Sequence, residues 1–260
     1  MNIGERNELL IKLKLIQIRD SNKGPTGPFT LIESVGFDRN EYDPLPNNFD
    51  INFVTGYTDQ QLTDIARLVG IEKAPGRSKA DVYVNNEGYS AKSLASAPPA
   101  LVNHTARTGF ETACKYMNVD IRELDRLVAE YWRLRLSGRI TEDVKNRDLN
   151  SPFRGARDTM FPILQYFLFI GTGTGPSNYP ADFIIDYDNP LDPSSWKILD
   201  KENAFECLWD KLIFSLRAKK GMPNNYPNNY NKTNNKSIAI WTKYTSDEYR
   251  GALHIRVSRR

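Results

Sequence analysis

Apolar residues in the opening segment GERNELLIKLKLIQI, residues 4–18, recur at Leu9, Leu10, Leu13 and Ile16, with glutamates early in the run. That spacing predicts an N-terminal amphipathic helix. SNKGPTGP at 21–28 breaks it, and residues 29–57 read as irregular strands with turns in DPLPNN. TDQQLTDIARLVGI at 58–71 predicts a second helix with a Thr-Asp start and a glycine stop. The pattern then switches to period two. Asp81-Val-Tyr-Val and Tyr89-Ser-Ala-Lys-Ser-Leu predict a hairpin around Asn85-Asn86-Glu87-Gly88. A symmetric four-residue turn pairs Val84 with Tyr89, which sets Asp81 opposite Lys92 and Tyr83 opposite Ser90, all four on one face.

Pro98 and Pro99 exclude a continuous helix through SAPPALVNHT, whereas ARTGFETACKYM and VDIRELDRLVAEYWRLRLSGRI predict two helices, the second ending at Ser137-Gly138. DTMFPILQYFLFI, residues 158–170, is apolar enough for core and runs into a GTGTGPSNYP loop. A strand is predicted over 181–187, a helix over 202–220, and a closing pair of strands in SIAIWTKY and YRGALHIRV. Between them, MPNNYPNNYNKTNNK at 222–236 has too little apolar content to pack by itself. These elements predict one α/β domain over residues 1–260 with a mixed central sheet flanked by helices. A helical insert at 95–157 and a β-rich C-terminal region at 222–260 elaborate it.

Composition narrows the class only a little. Lys plus Arg number 35 against 32 for Asp plus Glu, a formal charge of +3 that suits a polyanionic partner without requiring one. Cys114 and Cys207 lie far apart without CxxC spacing, which argues against a disulfide scaffold or zinc site and for a reducing cytoplasm. Glu5, Arg6 and Glu8 stand where a signal peptide would carry its apolar run, and no apolar stretch reaches membrane-spanning length. The expectation is a soluble, cytoplasmic protein with no membrane partner.

The hairpin carries the candidate chemistry. Asp opposite Lys is usually a plain cross-strand ion pair, but three neighbours weigh against that reading. Tyr83, Ser90 and Lys92 make one hairpin face polar. Gly88 and the small residues Ser90, Ala91, Ser93, Ala95 and Ser96 leave the backbone approachable by a bulky ligand. The first helix brings Glu5 and Glu8, and a second carboxylate is what a divalent cation requires beside Asp81.

Gly4-Glu5-x-x-Glu8-Leu9 followed by Asp81 and, some ten residues on, Lys92 resembles the PD-(D/E)xK nuclease core of restriction endonucleases and Holliday-junction resolvases. More narrowly, GYSAKSLASAPPALVNHTARTGF resembles a group of type II restriction endonucleases with a Gly-aromatic-Ser-x-Lys-Ser strand and a following Pro-x-Leu-x-Asn-x-[Ser/Thr] segment. The similarity continues in GERNELLIKLKLI, YFLFIGTGTGPSNYPADFII and YRGALHIRV, in the expected order. It implies Mg²⁺-dependent hydrolysis of double-stranded DNA leaving 5′-phosphates. It also implies a homodimer on a palindromic site and a cognate DNA methyltransferase as genetic partner.

One position departs from that pattern: Ser90 stands two before Lys92, where the superfamily carries Asp or Glu. A neutral hydroxyl does not replace a carboxylate at a divalent ion, so another acid has to compensate. The resemblance matches Glu8 to the glutamate of the first helix. Glu5, one turn earlier, and Glu111, on the helix after the hairpin, remain open, and Glu87 at the turn tip is the poorest alternative. On this reading Mg²⁺ is held by Asp81, Glu8 and the carbonyl of Ala91. Lys92 orients the attacking water and offsets transition-state charge, and Ser90 supports by hydrogen bonding. Asn103, Thr105 and Arg107 carry groups suited to bases and phosphates; the alternative is a loop in which Asn103 or Thr105 caps the next helix. RLRLSGR at 133–139, FRGAR at 153–157, and Lys232 and Lys236 in the Asn-rich loop are weaker candidates for phosphate contact. GTGTGPS lacks the Lys-Ser/Thr of a phosphate loop, and His104 and His254 have no metal-ligand spacing.

Overall fold

The computed structural model describes residues 1–21, 24–93, 100–218 and 251–258. The chain is mixed α/β and divides into two compact units, Met1–Ser96 with Ser177–Lys201, and Ala97–Pro176 with Glu202–Arg260.

The first unit begins with α1 (Ile3–Ser21). Leu9, Leu10, Ile11, Leu13, Leu15, Ile16 and Ile18 are all buried, so the second half of the helix is enclosed on nearly every side. It is a core helix rather than the one-faced amphipathic helix its spacing predicts, and an all-round apolar surface is what such a helix needs. β1 (Val35–Phe37) and β2 (Asn40–Glu41) form a small hairpin. After a 3₁₀ turn at Ile51–Gly56 comes α2 (Asp59–Leu68), whose cap Thr58 forms a reciprocal capping box with Gln61. β3 (Val82–Val84) and β4 (Glu87–Lys92) form the predicted hairpin.

The chain then runs through the second unit: β5 (Ala100–Ala106), α3 (Arg107–Tyr116), α4 (Ile121–Leu136), β6 (Val144–Lys145) and α5 (Arg157–Gln165). A π-helical turn at Tyr166–Ile170 continues α5. GTGTGP, expected as a loop, closes into a tight ribbon of β7 (Gly171–Thr172) and β8 (Gly175–Pro176).

β9 (Phe183–Tyr187) and β10 (Trp196–Leu199) return to the first unit. They complete a six-stranded sheet in the order β10-β9-β4-β3-β1-β2. β9 pairs parallel with β4, while the other neighbours are antiparallel. Val82, Val84, Tyr89, Ile185 and Tyr187 share one core with the apolar residues of α1. Strand alternation puts Ser90, Lys92 and Asp186 on the opposite face.

α6 (Lys201–Leu208), a 3₁₀ turn at Trp209–Lys211, β11 (Leu212–Ala218) and β12 (Gly251–Val257) follow. The helix expected over 202–220 therefore stops early. Leu212, Phe214 and Leu216 are fully buried at period two, and pairing with β12 along the whole strand outweighs the helical tendency of the preceding turns. The second sheet runs β5-β12-β11-β6. SIAIWTKY, the partner expected for YRGALHIRV, and the Asn-rich segment with Lys232 and Lys236 lie outside the described residues. No helix among the described residues is long and apolar enough to cross a membrane.

Candidate functional site

The hairpin turn has two residues, not four. Asn85 and Asn86 both have positive φ, 51° and 68°, the backbone that a tight hairpin requires and that asparagine tolerates. Asn85 is further held by its side chain, which accepts from the amides of Glu33 and Ser34 at 2.8 and 3.2 Å and donates to the Leu31 carbonyl at 2.8 Å. Val84 consequently pairs with Glu87, Tyr83 with Gly88 and Val82 with Tyr89. Asp81 falls beside Ser90, not Lys92, and Tyr83 no longer faces Ser90. Because the slip is two residues, each side chain keeps its face.

β3 begins at Val82, and just before it the Asp81 carboxylate continues the ladder. Its Oδ2 accepts from the Ala91 amide at 2.8 Å and from the Ser90 hydroxyl at 3.1 Å, while Lys92 Nζ lies 3.8 Å away. Lys92 is 40% exposed, and such a pair contributes less than about 1 kcal/mol. The two hydrogen bonds to a charged acceptor are worth about 1.5–3 kcal/mol each, so they, rather than the ion pair, orient the carboxylate. Among the described residues, every hydrogen bond to Asp81 falls on Oδ2, which leaves the lone pairs of Oδ1 for a cation. The Ala91 carbonyl shares the strand edge of its amide, the edge on which Asp81 sits.

Glu8 stands on α1, where its Oε1 accepts from Lys12 Nζ at 2.6 Å. Lys12 is only 3% exposed. Glu5, Glu8, Lys12 and Asp81 line one cavity of about 540 Å³ whose apolar wall includes Leu9, Ala66 and Ile71. Lys92 does not line it. The structure thus arranges the expected constellation as two halves that share Asp81: contacts join it to Ser90, Ala91 and Lys92, and the cavity joins it to Glu8.

Four residues near these halves escape the sequence pattern. Tyr42 is 3% exposed; burial first, then the negative charges of Glu8 and Asp81, raise its pKa. Tyr187 is raised by burial and by the same two carboxylates, opposed by a hydrogen bond with Asn7. Lys79 is lowered to about 8 by burial and by the Lys92 charge, with Asp81 opposing. Asp186 on β9 is the parallel sheet partner of Lys92 and is 8% exposed. Only the Lys-x-Asp spacing of Lys79 and Asp81 was visible locally; the other three reach the site through tertiary placement.

The remaining candidates separate. Glu5 Oε2 accepts from the Asn2 amide at the start of α1 and shares the cavity. Glu87 accepts from the Tyr89 hydroxyl at 3.0 Å at the hairpin tip. Glu111 lies in the second unit, 3.6 Å from Arg107. Gly88 is small for its own sheet: an added Cβ would lie 2.7 Å from the Pro180 carbonyl, so the space expected for a ligand is filled by protein. Ala95 and Ser96 are outside the described residues. Asn103 and Thr105 sit in β5 rather than in a capping loop, and the cap position of α3 is Ala106, which offers no side-chain cap. The Arg107 guanidinium donates to Asp125 through bonds of 2.8 and 2.7 Å, so contact with DNA would have to compete with that pair.

The donor chemistry fits a hard divalent cation: two carboxylates with an open oxygen each, Asp81 and Glu8, on one cavity, and a carbonyl on the strand edge beside Asp81. Among the described residues no group of three or more acidic, histidine or cysteine side chains is close enough to hold a metal, so a cation at Asp81 and Glu8 would need carbonyl and solvent oxygens as well. No protein-family model, no curated protein and no solved structure matches this chain.

Proposed function

We propose that the protein is a Mg²⁺-dependent nuclease with a PD-(D/E)xK-like core, cutting double-stranded DNA at phosphodiester bonds. Within that class the reading is a type II restriction endonuclease, acting as a homodimer beside a cognate methyltransferase. The observation that carries it is the Asp81 carboxylate, tethered to the Ala91 amide and the Ser90 hydroxyl, 3.8 Å from Lys92 and walling a cavity with Glu8.

Asp81 Oδ1, Glu8 and the Ala91 carbonyl would hold the cation, which when bound supplies Lewis-acid polarisation of the scissile phosphate. Lys92, the more exposed partner of Asp81, orients the attacking water and offsets charge that develops on phosphate oxygens. Ser90 holds Asp81 Oδ2 and leaves the other oxygen uncommitted.

Ser90, in the place of a second acid, favours one other reading: a DNA-binding protein whose nuclease-like core does not cut. Incubation with phage-length DNA and Mg²⁺, then with EDTA, decides. Discrete bands that vanish with EDTA and in Lys92→Ala support the restriction enzyme. A smear or a preference for branched DNA indicates a structure-specific resolvase or repair nuclease, and intact but retarded DNA indicates the binding protein. DNA neither cut nor retarded removes the nuclease reading.

A further inference from the structure

We propose that Arg77 and Lys73 bind a non-scissile phosphate of the DNA strand, on the wall of the cavity that Asp81 and Glu8 share. This rests on the nuclease reading of those two acids and adds to it how the strand is held.

Both basic residues belong to the loop 71–78 between α2 and β3, and both line the cavity. The loop is fixed at each end. The Ile71 amide donates to the Ala66 carbonyl at 2.8 Å, and the Lys79 and Ala80 amides both donate to the Tyr179 carbonyl, at 2.9 and 3.1 Å. Between these anchors the Ser78 amide and hydroxyl close a turn on the Pro75 carbonyl at 3.1 and 2.8 Å. Arg77 takes the left-handed position of that turn, at φ 75°. Left-handed backbone favours glycine, yet Gly76 stands next to it in an ordinary conformation. The loop therefore keeps a long cationic side chain at a place where glycine would relieve strain, a pattern that points to function.

Arg77 and Lys73 are exposed, and among the described residues neither side chain forms a hydrogen bond or ion pair. Lys12, the third basic side chain of the lining, is by contrast committed to Glu8 at 2.6 Å. A divalent cation offsets Asp81 and Glu8, but a phosphodiester entering the cavity still meets the negative charge of Glu5 and Glu72 on its wall. The guanidinium and the ammonium answer that charge. Arginine offers a planar fork matched to phosphate oxygens, and lysine adds a mobile point charge.

The test is binding of the full chain to duplex DNA with Ca²⁺ in place of Mg²⁺, across a salt series, with melting of each protein. Wild type is compared with Arg77→Asn, which tolerates left-handed backbone, with Lys73→Ala, and with Arg67→Ala. Arg67 is an exposed cation on α2 outside the cavity, paired with Asp64. The expected result is binding about tenfold weaker in Arg77→Asn. In both cavity variants the slope of log affinity against log salt should become shallower by about one, while Arg67→Ala keeps the wild-type slope. A wild-type slope in either cavity variant, or equal flattening in Arg67→Ala, overturns the proposal, and the nuclease reading stands if Mg²⁺ still supports cutting. DNA neither bound nor cut by wild type overturns both. Should Arg77→Asn melt well below wild type, Lys73→Ala decides alone. A rise in melting temperature with inorganic phosphate that Arg77→Asn abolishes, beside an unchanged DNA slope, makes the loop a site for free phosphate and likewise overturns the proposal.

Discussion

Ser90 donates its hydroxyl to Asp81 Oδ2 at 3.1 Å from within a site where it is itself 2% exposed. A carboxylate at position 90 would therefore meet Asp81 at close range in a poorly solvated place. Ser90→Asp is expected to lower stability by about 2 kcal/mol without divalent ions and to recover much of it in Mg²⁺. Melting with and without Mg²⁺ checks this; equal destabilisation in both conditions would detach Ser90 from any cation site.

Glu8 and Lys12 form a pair whose lysine is almost wholly enclosed. Glu8→Gln leaves that ammonium without its carboxylate; because Glu8 is 35% exposed and both groups line the cavity, the cost is expected to fall below that of a fully buried pair, at about 1–3 kcal/mol. The double variant Glu8→Gln/Lys12→Met is expected to regain most of the loss in chemical denaturation. Activity of Glu8→Gln is then best judged against that double variant, because loss of fold and loss of a cation ligand give the same silence.

The two turn asparagines are predicted to behave differently although both have positive φ. Asn86→Gly relieves left-handed strain and changes stability by less than about 1 kcal/mol. Asn85→Gly also discards the bonds to Leu31, Glu33 and Ser34 and costs about 1–2 kcal/mol more. Urea denaturation of the two variants measures the difference.

Arg107→Ala removes both guanidinium bonds to Asp125 and is expected to cost about 2–3 kcal/mol. If the protein binds DNA as proposed, the variant's affinity, measured below the melting temperature, should keep the salt dependence of wild type. A shallower salt dependence would mean that Arg107 leaves Asp125 to bind phosphate.

Burial first, and the Asp125 charge next, push the Cys114 thiol up to about 11, against the opposing pull of Arg107. The unfolded chain deprotonates near the ordinary 9.0, so between these values it binds fewer protons than the native state. Stability therefore falls as pH rises from 9 to 11, by on the order of 2 kcal/mol, and Cys114→Ala should flatten that slope. Exposed Cys207 is expected to react at once with a thiol reagent, with Cys114 following only on unfolding.

The helices were legible where local chemistry defines their ends. The Thr58 capping box and the Gly70 stop, at φ 78°, mark α2, and Asp120 and Gly138 bracket α4. The hairpin was legible too, but its register was not, since Asn-Asn can serve as the whole turn or half of it. β11 was hidden because buried apolar residues at period two continue smoothly from a helical run. Asp81, Ser90 and Lys92 could be found by spacing, whereas Lys12, Tyr42 and Asp186 owe their position to packing, which leaves no local signature.

The parallel pairing of β4 with β9 orders events during synthesis. Tyr89 to Lys92 find their sheet neighbours only at Phe183 to Asp186, after the ribosome has made the whole stretch 97–176 of the other unit. Until then one rim of the catalytic-candidate strand stays unpaired, a state prone to mispairing. Nascent chains stopped before residue 183 should therefore show β4 exposed to exchange and to chaperones, and those extended beyond residue 199, with β9 and β10 in place, should show it protected.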